Sequence, residues 1–311
     1  MATLTTRAEG GAAPCAEPVG APSSPPPFPG PVAVVGAGTI GRSVAHALAA
    51  AGQQVLLVDV STGVLDASMA RLRQDLRFER LLGGGAGRGR VDATVLARIE
   101  PTTRDERLAE AGFVIENTTE DWDVKRGVYR RLDQVCRPQA VFAANTSCVP
   151  ITRIAAQTGR PEQVLGMHFM NPVPVKPVVE MVRGFHTSPG TIDVARRLLA
   201  GMGKEGILVE DSPGFVANRV MMLAVNEAAY LVHERVAEPA DVDRIFTSCF
   251  GHPMGMLATA DLIGLDTILY SIEQLHDRFA DSKYRPCPLL RQLVDAGHLG
   301  RKSGRGFFRY A

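Results

Sequence analysis

Three observations predict an α/β fold, a mostly parallel sheet covered by helices on both faces, followed by an all-α C-terminal domain. Short apolar runs alternate with helical patterns between Pro31 and Asp211. A glycine-rich turn directly follows the first run. After Asp211 the strand signal stops and only helical periodicity continues.

Residues 1–30 hold seven prolines and few sizeable apolar groups, too little to offset the entropy of ordering, and read as a disordered tail. Val32–Val35 is the first strand, followed by the glycines and an alanine-rich helix over Ser43–Ala51. Gln54–Asp59 is the second strand, closed by an acid. Thr62–Leu82 is a long helix that runs into a glycine-rich stretch at 83–89. Further strands are read at Phe113–Glu116, Val141–Asn145, Val164–Phe169, Val178–Val182 and Gly206–Val209, with helices at Val124–Val135 and Ile192–Met202 between them. Ser212-Pro213 reads as an N-cap with proline at the first helical position. Helices then follow over Met221–Val232, Ala240–Cys249, Asp266–Ala280 and Leu289–Ala296. The division is thus a tail at 1–30, a sheet domain at 31–211 and a helical domain at 212–311.

Composition removes several classes of function. With 34 Lys+Arg against 33 Asp+Glu, the net charge of +1 argues against a nucleic-acid partner. No uninterrupted apolar stretch is long enough to cross a membrane. The five cysteines are scattered and form no C-x-x-C, so neither a disulfide framework nor a structural zinc site is expected; no metal is, and a reducing cytoplasm is the natural setting.

Gly36-Ala37-Gly38-Thr39-Ile40-Gly41 matches G-x-G-x-x-G between a strand and a helix, and Asp59 closes the next strand 21 residues after Gly38. Gly36 permits the tight turn, Gly38 lets a pyrophosphate approach the backbone, and Gly41 lets helix and strand pack closely. The helix N-terminus favours phosphate, and Asp59 suits an adenosine ribose. Val60 and Ser61 offer no arginine for a 2′-phosphate, so NAD is expected rather than NADP. The bland alternative, a ligand-free glycine turn, is disfavoured because strand, helix and acid are all in place. The first domain is therefore read as a Rossmann-type doubly wound sheet that binds NAD.

Asn145-Thr146-Ser147-Cys148 follows a strand at the edge where such sheets bind ligands. His168 ends the next strand, and a proline turn leads to the run that contains Glu180. Two strands so joined bring imidazole and carboxylate together, which suits a general base near neutral pH. His168 taken alone is more often a hydrogen-bonded core histidine, and Ser147 alone is a helix cap. Asn218, in a strongly apolar helix, needs a partner that is either substrate or core. Arg219 suits a ligand or an interdomain salt bridge equally.

These motifs carry a resemblance. With Asn-Thr-Ser, Met-His-Phe-Met-Asn-Pro-Val-Pro, Asp211-Ser212-Pro213-Gly214-Phe215-Val216-Ala217-Asn218-Arg219 and Gly300-Arg301-Lys302-Ser303-Gly304, residues 31–311 resemble the L-3-hydroxyacyl-CoA dehydrogenases, particularly bacterial 3-hydroxybutyryl-CoA dehydrogenases. The resemblance implies a dimer-forming helical domain, a homodimer, and substrate held between the domains. It implies that His168 is the catalytic base, that Glu180 orients it, and that Ser147 and Asn218 bond the substrate around its reacting oxygens. Glu120 and Lys125 fall where the family has polar residues beside the cofactor.

The chain departs from the family pattern at Glu116-Asn117-Thr118-Thr119-Glu120-Asp121, at Lys176-Pro177, at Met256, and at Cys148, where a second serine is common. The first and last of these look like the branch that serves polyketide biosynthesis by oxidising glyceryl groups on acyl carrier protein. The expected reaction on that reading takes glyceryl-acyl carrier protein to 2-hydroxy-3-oxopropionyl-acyl carrier protein, towards hydroxymalonyl or methoxymalonyl units. The alternatives are an L-3-hydroxybutyryl-CoA dehydrogenase, a dehydrogenase of a free sugar acid, and a non-catalytic NAD-binding structural protein. Arg71, Arg73, Arg77 and Arg80 are expected to lie largely on one side of their helix. Such runs are usually solvated faces; the sharper reading is a surface for an acidic carrier protein or for a CoA phosphate.

Overall fold

A computed structural model describes residues 28–82 and 88–310, apart from the side chains of 79–82 and 88–92. The tail to residue 27, the glycines at 83–87, and the side chains of Arg80, Arg88 and Arg90 lie outside the described residues. The first domain contains β1 (Val32–Val35), α1 (Thr39–Ala50), β2 (Val55–Val58), α2 (Thr62–Leu82), α3 (Arg88–Ala97) and β3 (Ile99–Thr102). It continues with β4 (Phe113–Glu116), α4 (Trp122–Val135), β5 (Val141–Ala144), α5 (Ile151–Ala155) and β6 (Val164–His168). It closes with β7 (Val178–Arg183), α6 (Pro189–Gly201) and β8 (Glu205–Glu210). The strand order is β3-β2-β1-β4-β5-β6-β7-β8. The first six strands are parallel, β7 runs antiparallel to β6, and β8 runs parallel to β7.

The central strands are apolar on both faces and fully buried, as a sheet sandwiched by helices requires. One core packs α1, α2 and α6 against one face, through Val44, Leu48, Leu72 and Leu198. The other packs α4 and α5 against the opposite face, through Tyr129, Leu132, Ile151 and Ile154. Phe215, from beyond the sheet, joins this second core and ties the two halves of the chain together.

Several elements went unread in the sequence. β3 reads Ile99-Glu100-Pro101-Thr102, with two exposed positions and a proline, because it is an edge strand whose outer side needs no donor. α3, with little amphipathic pattern, and the short helix Met256–Ile263 also went unread. Two placements are corrected. Phe28–Gly30, assigned to the tail, are packed: the Phe28 amide donates to Gln53 Oε1 at 3.1 Å, Gln53 Nε2 donates to the Gly30 carbonyl at 2.5 Å, and the Phe28 ring meets Phe113 edge-on. Ser212-Pro213 does not start a helix. The Phe215 amide closes a turn on the Ser212 carbonyl, Gly214 and Phe215 take positive φ, and the helix begins at Ala217.

The second domain holds α7 (Ala217–His233), α8 (Pro239–Phe250), α9 (Met256–Ile263), α10 (Leu265–Phe279) and α11 (Pro288–Asp295), around Val225, Ala229, Ile268, Ile272 and Leu290. Buried carboxylates fix the connections. Asp243 accepts the Leu257 and Ala258 amides at 2.8 Å each, at the start of α9. Asp261 accepts the Phe307 and Phe308 amides and the Tyr310 hydroxyl, which locks the end of the chain onto α9. Burial and the Asp261 charge together push the Tyr310 phenol up to about 12. Among the described residues no helix is long and apolar enough to cross a membrane.

Candidate active site

The loops after β1, β4 and β5 open on the same edge of the sheet, the edge where α/β sheets bind ligands. Gly36 takes φ 93°, and a Cβ there would stand 2.7 Å from the Asn117 carbonyl oxygen. A Cβ at Gly41 would stand 1.8 Å from the Gly36 carbonyl oxygen, so α1 packs on β1 more closely than any side chain allows. Gly38, by contrast, has nothing within 4 Å of its Cβ position. It caps α1 with no side-chain partner, and the first turn, from Thr39 and Ile40, carries no acid. Free amides, open space and an uncompensated helix N-terminus fit a pyrophosphate. Asp59 Oδ2 accepts the Ala37 amide at 2.8 Å and Oδ1 accepts the Ser61 amide at 3.2 Å, which holds the carboxylate beside the turn with acceptor capacity left for a ribose. These residues fit NAD.

His168 and Glu180 are register partners across the antiparallel β6–β7 pair, so their side chains share a face. His168 Nδ1 lies 2.9 Å from Glu180 Oε2, and Nε2 lies 2.9 Å from Ser147 Oγ. With Nδ1–H donating to the carboxylate, Nε2 is left as the acceptor, facing the serine hydroxyl. The other carboxylate oxygen, Glu180 Oε1, accepts the amides of Val216 at 2.7 Å and Ala217 at 3.1 Å, the residues that open α7. Burial alone would raise the Glu180 carboxyl; the bonds from His168, Val216 and Ala217 outweigh it and hold the group below its ordinary value. The Phe215 ring meets the imidazole edge-on, with centroids 6.0 Å apart.

Asn218 lies in the first turn of α7, one residue beyond the tethered Ala217. It adjoins Cys148, whose thiol burial pushes up to about 12 against the opposing bonds of Ser271 and Asn218. Cys148 is thus a protonated packing residue between the domains. Among the described residues Arg219 pairs with no carboxylate: Nε donates to the Tyr284 hydroxyl at 3.0 Å, and the guanidinium lies over the Phe279 ring.

Three expectations change. Glu120 Oε2 accepts the Thr146 hydroxyl at 2.7 Å and Oε1 accepts the Ser147 amide, so this acid shapes the serine loop. Its carbonyl takes the Tyr270 hydroxyl of α10 at 2.9 Å. Lys125 is fully buried, with Nζ at 3.0 and 2.9 Å from the two Glu116 oxygens and 3.3 Å from the Thr118 carbonyl. It lies beneath the loop rather than on the open cofactor surface, because the buried Glu116 at the end of β4 requires a counter-charge. Nothing in the bare residue types reveals this pair; the nine-residue spacing from strand end to first helical turn is its only signal.

The arginines of α2 do not share one side. At about 100° per residue, Arg71 stands about 160° from Arg73 and about 120° from Arg77. Arg71 faces α1 and pairs with Asp75 at 3.3 Å, and Arg42 reaches the same acid at 3.7 Å. They line a groove of about 570 Å³ with His46, Phe78 and the Asn171-Pro172 turn that follows His168. Arg73 and Arg77 are exposed on another side. The turn itself is held by Lys204, a buried ammonium that donates to the Val173 carbonyl at 2.6 Å and the Lys176 carbonyl at 2.7 Å and that burial drives below its usual value.

Residues 31–212 match the family model of the 3-hydroxyacyl-CoA dehydrogenase NAD binding domain, and residues 214–310 match that of the C-terminal domain of the same enzymes. A probable 3-hydroxybutyryl-CoA dehydrogenase of Bacillus subtilis is 45% identical over 283 residues, 90% of this chain and 96% of that protein. The 3-hydroxybutyryl-CoA dehydrogenase of Bradyrhizobium diazoefficiens is 42% identical over 279 residues, 90% of this chain and 94% of that protein. The crystal structure of the (S)-3-hydroxybutyryl-CoA dehydrogenase PaaH1 of Ralstonia eutropha superposes with a TM-score of 0.86 at 40% identity, covering 90% of this chain and 99% of that one.

Because Glu180 is held below its ordinary value, its stabilising contribution is present above about pH 4.5 and is lost as pH falls through the lower native value. The melting temperature of Glu180→Gln should therefore lie below wild type near pH 7, and the gap should close as pH falls below the ordinary glutamate range. A gap that stays constant across thermal melts over this range would show that the carboxylate charge is not what joins His168 to α7.

Proposed function

Since the chain belongs to the 3-hydroxyacyl-CoA dehydrogenase family, an NAD-dependent oxidoreductase of 3-hydroxyacyl thioesters, we propose that it oxidises the 3-hydroxyl of a short 3-hydroxyacyl-CoA of the 3-hydroxybutyryl type. The observation that carries the reading is the line Glu180–His168–Ser147, with both gaps at 2.9 Å and all three groups at the same end of the sheet as the glycine turn. NAD bound on that turn supplies the hydride acceptor. His168 Nε2 takes the hydroxyl proton, and Glu180 stabilises the imidazolium that forms. The Ser147 hydroxyl, turned from His168 to the substrate, donates to the oxygen on which charge develops. Asn218, brought in by α7, supplies a second polar contact. The relatives named for 3-hydroxybutyryl-CoA support CoA as carrier, as does the groove edged by Arg42 and Arg71, which suits a phosphate-bearing arm. His168→Gln should keep NAD binding and lower turnover by about 10²–10⁴-fold; near-wild-type single-turnover rates would remove the histidine from the chemistry.

A second reading, glyceryl on an acyl carrier protein, is favoured by one observation. Arg73 and Arg77 project into solvent away from the groove and form no ion pair among the described residues, as a steering surface for an acidic partner would. Turnover of 3-hydroxybutyryl-CoA, glyceryl-CoA and glyceryl-carrier protein decides between the two. The CoA reading expects the first to be best and a charge reversal at Arg73 and Arg77 to be without effect. Glyceryl-carrier protein turned over faster, with KM raised by that reversal and relieved by salt, would replace it.

The helical domain exposes Val216, Val220, Ile245, Phe250 and Leu262, each more than half accessible. This apolar excess supports a homodimer through that domain. Sedimentation should give twice the chain mass at micromolar concentration; a single-chain mass would refute the assignment.

A further inference from the structure

The groove between α1 and α2 holds an anion of its own. Asp75 stands between two arginines from different helices: Oδ2 lies 3.7 Å from Arg42 Nε of α1, and Oδ1 lies 3.3 Å from Arg71 Nε of α2. Among the described residues it is the one acid within ion-pairing distance of either guanidinium. Arg71 is drawn further along its own helix, since Nη1 donates to Gln74 Oε1 at 3.1 Å. An exposed pair one helical turn apart, such as Arg71 and Asp75, contributes little by itself. Arg42 sets this one apart, because its side chain is only 20% exposed and it comes from the facing helix to the same carboxylate.

Much of the remaining wall is apolar. Leu72 and Phe78 of α2 line it together with Pro172 and Pro174, from the turn that follows His168. On the proposed reading, a thioester whose acyl end reaches the imidazole leaves its arm along this groove. Two guanidinium groups alone would draw a phosphate strongly. With the carboxylate between them, the three formal charges leave a net charge of +1. An entering phosphate must therefore displace Asp75 or lie beside a like charge. A pantetheine arm without phosphate, which carries only amides, hydroxyl and hydrocarbon, meets no such repulsion.

We propose that Asp75 is a specificity-determining residue. It occupies the guanidinium groups that a carrier phosphate would use, so the groove holds the arm mainly through its uncharged part and prefers phosphorylated carriers only weakly. This inference rests on the thioester dehydrogenase reading above, with the arm in this groove.

The test compares 3-hydroxybutyryl-CoA with the 3-hydroxybutyryl thioester of pantetheine, for wild type, Asp75→Asn and the double variant Asp75→Asn/Arg71→Gln. The ratio of kcat/KM, CoA over pantetheine, should rise about tenfold in Asp75→Asn, through KM rather than kcat, and the rise should fade as salt is added. The double variant restores the net charge and should bring the ratio back towards wild type. Both thioesters are assayed on one preparation, so the ratio does not depend on how much of a variant is folded. An unchanged ratio overturns the proposal, since no phosphate then passes Asp75. A lowered ratio overturns it as well, because the carboxylate would then be aligning the two arginines for the phosphate. If wild type oxidises neither thioester, the proposed function fails. Calorimetry with free CoA against pantetheine, at saturating NAD, still decides Asp75: its neutralisation should favour CoA, and an unchanged preference would overturn the assignment.

Discussion

The Glu180 carboxylate joins what the rest of the molecule sets up separately. One oxygen orients the imidazole, and the other holds the first amides of the helical domain. Docking of α7 and orientation of the imidazole are therefore one event. A carboxylate that accepts three bonds in a buried place is held below its ordinary value and remains charged. The Gly214–Phe215 turn, with positive φ at both residues, delivers the α7 amides to the carboxylate and places the Phe215 ring against His168. Helix, turn and strand thus converge on a single side chain.

The same economy appears in the loop after β4. Glu116 ends that strand inside the protein, and Lys125, one helical turn into α4, neutralises it. The loop between them is then tied over the Asn145–Val149 turn by Glu120, which holds the Ser147 amide and the Thr146 hydroxyl. Removing one partner of such a buried pair costs about 3–5 kcal/mol, because the other charge is stranded. The serine that meets the imidazole is therefore positioned by a loop that the Glu116–Lys125 pair and Glu120 hold. Tyr270 adds a link from α10 to the same loop, so both domains hold it.

Much of this was legible in the sequence. The glycine spacing, the acid after the second strand and the proline turn after His168 each state a local backbone requirement that few residues satisfy. The sheet follows from apolar runs of the right length. What escaped depends on relations between distant segments. The polar edge strand β3 has no apolar signature, since only one of its faces is buried. The role of Lys125 depends on the depth of Glu116, and depth is not written in residue type. The arginines of α2 look like a set when counted along the chain, and helical geometry divides them between two sides. Ser212-Pro213 has the form of a cap, yet the positive φ at Gly214 and Phe215 turns the chain before the helix can start.

The reversal of β7 explains why the His168–Glu180 pair lies where it does. A parallel neighbour after β6 would need a long crossover and would deliver its residues from the far edge of the sheet. The tight turn at 169–177 instead folds the chain straight back, so that twelve residues separate His168 from Glu180 in sequence while they face each other in register. A slip of one residue would turn Glu180 to the other face and leave the imidazole without its carboxylate. The register is held from outside the pair: Lys204 clamps two carbonyls of the turn, and the Val173 amide donates to Ser43 of α1. Ser43 lies in α1, the helix that the glycine turn opens. The hydrogen bonds that hold the turn after β6 therefore also tie the strand pair that carries His168 and Glu180 to that helix.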